Sequence, residues 1–217
     1  KRVVSAKKNQ DPSTLLRLSN ADFIRAFDQV PYVIKGYENL PKNKKNIFIY
    51  NHLAAVESNQ LANGHSFSID SHFVSAKILI PKYNDSGQRI VRASRKNEYW
   101  RSEYYSRLSN IVVHTPESDK LEETPSEKKR RKESFFVDAQ EAFNENRPLA
   151  IAPEGTSETP DNVTNKSPGP FKPGAFLLAN SLDPRPMIIP IALANFDYPI
   201  SKTVYSAVIK EGFYIDD

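Results

Sequence analysis

His52 is followed five residues later by Glu57, and His65 is followed at the same spacing by Asp70 within G-H-S-F-S-I-D (64–70). A carboxylate that holds one ring nitrogen of an imidazole fixes its tautomer, and it stabilises the imidazolium formed when the other nitrogen takes a proton from a hydroxyl. Such a pair is a general base for an attacking alcohol. The same stretch holds Ser66 in a setting close to the G-x-S-x-G turn that exposes a serine nucleophile. That turn needs glycine at its last position, where this chain has Ser68, and it follows a strand, whereas V-E-S-N-Q-L-A-N (56–63) is polar. The histidine pairing is therefore the first reading, and a serine hydrolase built on Ser66 is its rival.

Five residues along one helix place two side chains about 140° apart, so His65 and Asp70 cannot share a helical face. The pair requires His65 in a turn and Asp70 in the first turn of the helix that follows, where the helix dipole favours a carboxylate. Ser66 or Ser68 can cap that helix, and its apolar periodicity begins at Ile69. In the other arrangement His52, just after the apolar run I-F-I-Y (47–50), meets Asp70 across the intervening residues. Open α/β sheets place reactive groups at such strand ends. His65, Asp70 and His72 form a conceivable metal set, but no other spacing supports one, and no metal is expected.

These residues need elements to position them. Short β-rich runs alternate with longer helical patterns, which predicts a single α/β domain with a mixed, largely parallel sheet flanked by helices. Leu15 to Val30 reads as an amphipathic helix with Leu16, Phe23, Phe27 and Val30 on one face. Strands are expected at 32–35, 47–50, 89–94, 111–114, 149–152, 187–193 and 203–209. The spacing predicts a helix from Ile69 that stops at Ile80 before Pro81. Thr124-Pro-Ser-Glu127 is a capping box opening a helix to about Glu145, with Phe135, Ala139, Ala142 and Phe143 as its buried stripe. A further helix is expected over Gly174 to Leu182. The strand at 149–152 delivers P-E-G-T-S (153–157), a glycine turn able to present N–H groups and hydroxyls to an anionic or polyol ligand. A long proline-rich loop (159–173) follows it.

Composition narrows the class. A chain of 217 residues, 39% hydrophobic and 26% charged, can bury one full core and is neither disordered nor fibrous. It has no cysteine, which excludes disulfides, thiolate metal sites and cysteine nucleophiles and fits a reducing compartment. A net charge of +4 tilts it towards phosphates, nucleic acid or acidic lipid heads. Apolar runs such as M-I-I-P-I-A-L-A (187–194) fall short of the roughly 18 residues that a membrane span needs. No signal-like segment opens the chain, and a start at Lys1 leaves room for an upstream anchor.

Taken in order, I-F-I-Y-N-H (47–52), the acid at 70, L-A-I-A-P-E-G-T-S (149–157), F-K-P-G-A-F (171–176) and I-I-P-I-A-L (188–193) resemble the glycerolipid acyltransferase superfamily, the glycerol-3-phosphate and lysophosphatidate acyltransferases. The resemblance covers about residues 30 to 200 and rests on the ordered combination. It implies a glycerol-3-phosphate acyltransferase-like fold, with an arm and helix at 1–30 and the acyltransferase domain at 31–217. It implies O-acyl transfer in phospholipid synthesis from acyl-CoA or acyl carrier protein to glycerol-3-phosphate or lysophosphatidate, with no metal or redox cofactor. The histidine would be the base, Asp70 its orienting acid, and Glu154, Gly155, Thr156 and Ser157, with Lys172, the acceptor-binding turn. A cytoplasmic location, peripheral at a membrane surface, follows from the same resemblance, with no nucleic-acid partner.

The departures are as informative. The family's Asn-His pair falls at Asn51 and His52, whereas its histidine-to-aspartate spacing falls at His65 and Asp70, as though about a dozen residues had been inserted. Either His52 faces Asp70 or His65 serves it. Arginines that the family places after the glycine turn and at the end of its middle strand are replaced by Ser157 and by His114 and Thr115. Lys172, Arg107 or the run K-K-R-R-K (128–132) would have to stand in for them. That run goes more than once round its helix and reads mainly as a solvated face, with membrane or carrier contact as its functional alternative. A non-catalytic binding module is the rival of another class, because aromatic and basic residues interleave in Y-W-R-S-E-Y-Y-S-R (99–107) as stacking platforms can.

Overall fold

The computed structural model describes residues 2–53, 68–94, 98–114, 123–155, 168–199 and 202–215. Seven strands form one sheet in the order β1-β7-β6-β2-β5-β3-β4. They are β1 (Tyr32–Lys35), β2 (Ile47–Tyr50), β3 (Gln88–Arg92), β4 (Ile111–Val113), β5 (Leu149–Ile151), β6 (Ile188–Ala194) and β7 (Tyr205–Ile209). Every neighbouring pair is parallel except β6 and β7. The carboxyl ends of β2, β5, β3 and β4 therefore lie along one rim, which is where an open α/β sheet offers its crevice.

Strand β2 shows why the sheet must be covered on both sides. All four of its residues are buried, and successive side chains leave on opposite faces. Phe48 and Tyr50 join a core with Phe27, Phe73, Ile78, Leu79 and Tyr205. Ile47 and Ile49 join another with Ala139, Phe143 and Leu178. On the first face lie helix α1 (Pro12–Phe27) and a run made of α2 (Ile69–Phe73), a π-helical stretch (Val74–Leu79) and α3 (Ile80–Tyr83). On the second lie α5 (Pro125–Asn144) and α6 (Gly174–Ser181), while α4 (Tyr99–Arg107) packs with Leu15 and Val3 in a smaller cluster.

The expected α/β architecture with a mixed, largely parallel sheet is the one observed, and three details differ. Helix α1 begins earlier, because Asp11 caps it by accepting from the Thr14 N–H at 2.9 Å and Pro12 occupies the first turn. Its buried line is Leu15, Ser19 and Phe27, with Leu16 and Phe23 only half-buried. Ser19 can lie inside because its hydroxyl pairs with the Tyr104 hydroxyl at 2.9 Å. Pro81 does not stop the helical run that begins at Ile69, which continues to Tyr83 and ends on Asn84 in the left-handed conformation. The π-helical stretch explains this, since the Ile80 N–H already donates to Ser75, five residues back, and the four-residue ladder that proline would break is interrupted before it.

The capping box is formed, with Thr124 and Glu127 exchanging bonds at 3.3 and 2.8 Å, and Phe143 is fully buried at the other end of the same helix. Thr124→Ala should cost about 1 kcal/mol, the usual loss of an N-cap. Phe143→Ala should cost about 3–5 kcal/mol through the cavity it leaves. Urea midpoints at unchanged slope will show that ranking, and equal losses would contradict it.

Candidate active site

The chain leaves β2 through Asn51, whose side-chain amide continues the sheet ladder. It donates to the Leu193 carbonyl at 3.0 Å and accepts from the Leu193 N–H at 2.6 Å. Strand β6 thus grips the residue before His52. The His52 N–H then donates to Glu154 Oε1 at 2.6 Å, and its ring Nδ1 lies 2.6 Å from Asp70 Oδ2. The Leu53 N–H donates to the same Asp70 oxygen at 2.9 Å, and the Ser71 N–H to the other at 2.6 Å. Asp70 stands in the first turn of α2 and is 1% exposed, and the His52 side chain is 14% exposed.

This geometry fixes the imidazole. With Asp70 accepting from Nδ1, Nε2 carries the lone pair and is left for a reacting proton. Burial alone would pull the pKa of His52 down. The charge and hydrogen bond of Asp70, aided by Glu154 and opposed by Arg101, outweigh burial and hold it above its ordinary value.

Glu154 is the second fixed point. It follows β5 in a turn closed by the Gly155 N–H donating to the Ala152 carbonyl at 3.0 Å, with Gly155 at φ 75°, where a side chain would be strained. Glu154 is fully buried. Its Oε1 accepts from the His52 N–H and its Oε2 from the Gly169 N–H at 2.7 Å. A buried carboxylate is tolerated where its oxygens are met by donors, and these two come from separate segments of backbone. The Lys172 N–H donates to the Pro153 carbonyl at 2.8 Å, and its Nζ lies 3.1 Å from where a Cβ on Gly155 would stand.

Two cavities meet at Gly155. One, about 70 Å³, is lined by His52 together with Ser68, Ser71, Arg92, Arg101 and Tyr105. The other, about 220 Å³, has a floor of Val112, Val113, Phe135 and Ile151 and a basic rim of Lys128, Lys132 and Lys172. Its walls come from β4, α5 and the start of α6.

Of the residues singled out in the sequence, His52 and Asp70 are in direct contact. Glu57, His65, Ser66, Thr156 and Ser157 lie outside the described residues. Gly155 faces both cavities, while the oxygens of Glu154 are engaged by backbone. His72 sits in the core, with Nδ1 2.7 Å from the Ser68 carbonyl and Nε2 within 2.9 Å of Tyr104 and 2.8 Å of Arg89, so it shares no ligand position with Asp70. Among the described residues no three of His, Cys, Asp and Glu converge as a metal set. Arg107 is engaged by Glu103 and the Ala6 carbonyl, and Arg131 by Glu123. No local pattern signals the clamp that Asn51 forms on β6. Arg101 and Tyr105, read there as a stacking platform, enter the His52 cavity instead, and their four-residue helical spacing was the available signal.

No curated protein sequence matches the chain. Among solved structures it is similar to the 1-acyl-sn-glycerophosphate (LPA) acyltransferase PlsC from Thermotoga maritima. That likeness has a TM-score of 0.53 at 16% identity and covers 95% of this chain and 74% of that one. The shared fold is what it establishes. A family model described as Acyltransferase matches residues 61–194, which is more than half of the chain. This protein belongs to the Acyltransferase family.

Proposed function

We propose that this protein moves a fatty acyl group from an acyl thioester, acyl-CoA or acyl carrier protein, to a hydroxyl of glycerol-3-phosphate or lysophosphatidate in phospholipid synthesis. The observation that carries the reading is the 2.6 Å contact between His52 Nδ1 and buried Asp70, with His52 lining a polar cavity at the carboxyl rim of a parallel sheet. His52 Nε2 takes the acceptor's hydroxyl proton as its oxygen attacks the thioester carbonyl. The carbon–sulfur bond then breaks, and the thiolate leaves with the proton that the imidazolium returns. Asp70 holds the ring and its developing charge, and Glu154 fixes the backbone from which the ring projects. The apolar cavity beyond Gly155 suits an acyl chain, and its lysine rim suits the anionic end of a substrate or lipid.

Work at a membrane surface fits the same rim. Phe136, which lines the cavity with Lys128, Lys132 and Lys172, is exposed, as is Phe171, the chain neighbour of Lys172. Among the described residues no helix is long and apolar enough to cross a membrane.

Acceptor-dependent release of free thiol tests the chemistry. His52→Ala should reduce it about 100- to 10,000-fold, the usual range for a general base. Asp70→Ala should also cripple it, while His65→Ala is tolerated. Loss at His65 with His52 tolerated would transfer the role to His65, and equal thiol release without acceptor would make the protein a hydrolase.

The pH profile follows from the direction of the His52 shift. The working base is neutral, so kcat/KM should fall as pH drops through the raised pKa, with the acid limb lying above the ordinary histidine value of about 6.5. Stability runs the other way. The charged ring paired with Asp70 contributes fully below about pH 6.5, and that contribution is lost as pH rises through the folded value. Asp70→Asn should move the acid limb to lower pH, and an unmoved limb would remove Asp70 from the pair.

Lys128→Glu with Lys132→Glu should weaken sedimentation with anionic phosphatidylserine vesicles by at least the ~1 kcal/mol that each basic group contributes near such a surface. Unchanged binding would take α5 off the membrane.

A further inference from the structure

Arg101 is the one cation in the His52 cavity with no bonded partner among the described residues. Arg92, the other arginine there, is neutralised by Glu98, whose two oxygens lie 2.9 and 3.0 Å from its Nη2. Asp70 is occupied by His52, Leu53 and Ser71, and Glu154 by two backbone N–H groups. Neither acid reaches Arg101. Its Nε is buried without a hydrogen-bond partner, and no ion pair reaches its guanidinium among the described residues. The guanidinium lies 5.1 Å from the centre of the Tyr105 ring, one turn further along α4, an attraction that favours this position. A half-buried guanidinium that rests on an aromatic ring and keeps an unmet Nε donor is suited to an anion that arrives with the ligand, and its planar fork matches phosphate.

We propose that Arg101 binds the phosphate of the acceptor, a phosphomonoester whose hydroxyl His52 deprotonates. The inference deepens the proposed function by assigning the acceptor's anionic group to the smaller cavity. Two observations favour phosphate over the acyl chain here. The cavity measures about 70 Å³ and is lined by Ser68, Ser71 and Tyr105 together with Arg101, whereas the lining of the 220 Å³ cavity across Gly155 includes Val112, Val113, Phe135, Phe136 and Ile151. In a glycerol phosphate the reacting hydroxyl is only a few bonds from the phosphorus, so base and phosphate site must be near neighbours. They are, since Arg101 is close enough for its charge to oppose the protonation of His52. Hydroxyls and a charge-assisted fork together give a directed site rather than a diffuse positive field.

The experiment measures thermal stabilisation of the full chain by sn-glycerol 3-phosphate, by inorganic phosphate and by glycerol, for wild type, R101Q and R101K. Wild type should be stabilised by glycerol 3-phosphate and not by glycerol, R101Q should require about tenfold or more ligand for the same shift, and R101K should fall between. Stabilisation by inorganic phosphate that R101Q also loses would show that the phosphate alone is read. Equal responses in wild type and R101Q, or no response in wild type, would overturn the proposal. Melting of each variant without ligand separates lost binding from lost fold. The measurement needs no turnover, so an absence of acyl transfer defeats the proposed function without deciding the role of Arg101. Where thiol release is measured, R101Q should raise the KM for glycerol 3-phosphate much more than it lowers kcat, and an equal loss with a non-phosphorylated monoacylglycerol acceptor would overturn the assignment.

Discussion

A fully buried carboxylate with each oxygen committed to a backbone N–H is the constraint on which the rest of the site depends. Glu154 reaches the His52 N–H with one oxygen and the Gly169 N–H with the other. It therefore ties the end of β2 and the turn after β5 to the chain that leads into α6. Removing a partner from such a group leaves a desolvated charge, at a cost well above that of an ordinary hydrogen bond. Because no water can replace these bonds cheaply, the three segments hold their spacing, and the crevice between β2 and β5 keeps its width.

Asp70 does a related task in another currency, since it holds backbone and ring together. Its oxygens accept from Leu53 and Ser71 N–H groups as well as from the imidazole, so ring orientation is set by the same atoms that set the loop. Asn51 completes the arrangement by locking the preceding residue to β6. His52 is thus fixed from three directions, by Asp70 on its ring, by Glu154 on its N–H and by Asn51 through the residue before it.

How much of this could be read in advance follows from the range of each signal. The sheet and its helices were legible because they rest on local periodicity, as with the wholly apolar β2 and the Thr124 capping box. The continuation of a helix past Pro81 was not, because the π-helical spacing that permits it leaves no mark in propensity. Within the site, Asp70 and His52 were both visible as residue types. Their pairing was not settled, because eighteen positions separate them and spacing alone favoured the nearer His65. The partners of Glu154 and the surroundings of Arg101 depend on strands and loops brought together from distant parts of the chain, which no pattern in a single sequence encodes.

Gly155 has a consequence for selectivity. It stands in the left-handed region and lines both the polar cavity and the apolar one, with the Lys172 side chain packed against the place its Cβ would take. On the proposed function, a substrate with one end in each cavity passes over its Cα. The side chain missing there then bears on the cross-section of that substrate beside its reacting carbonyl rather than on the length of its chain.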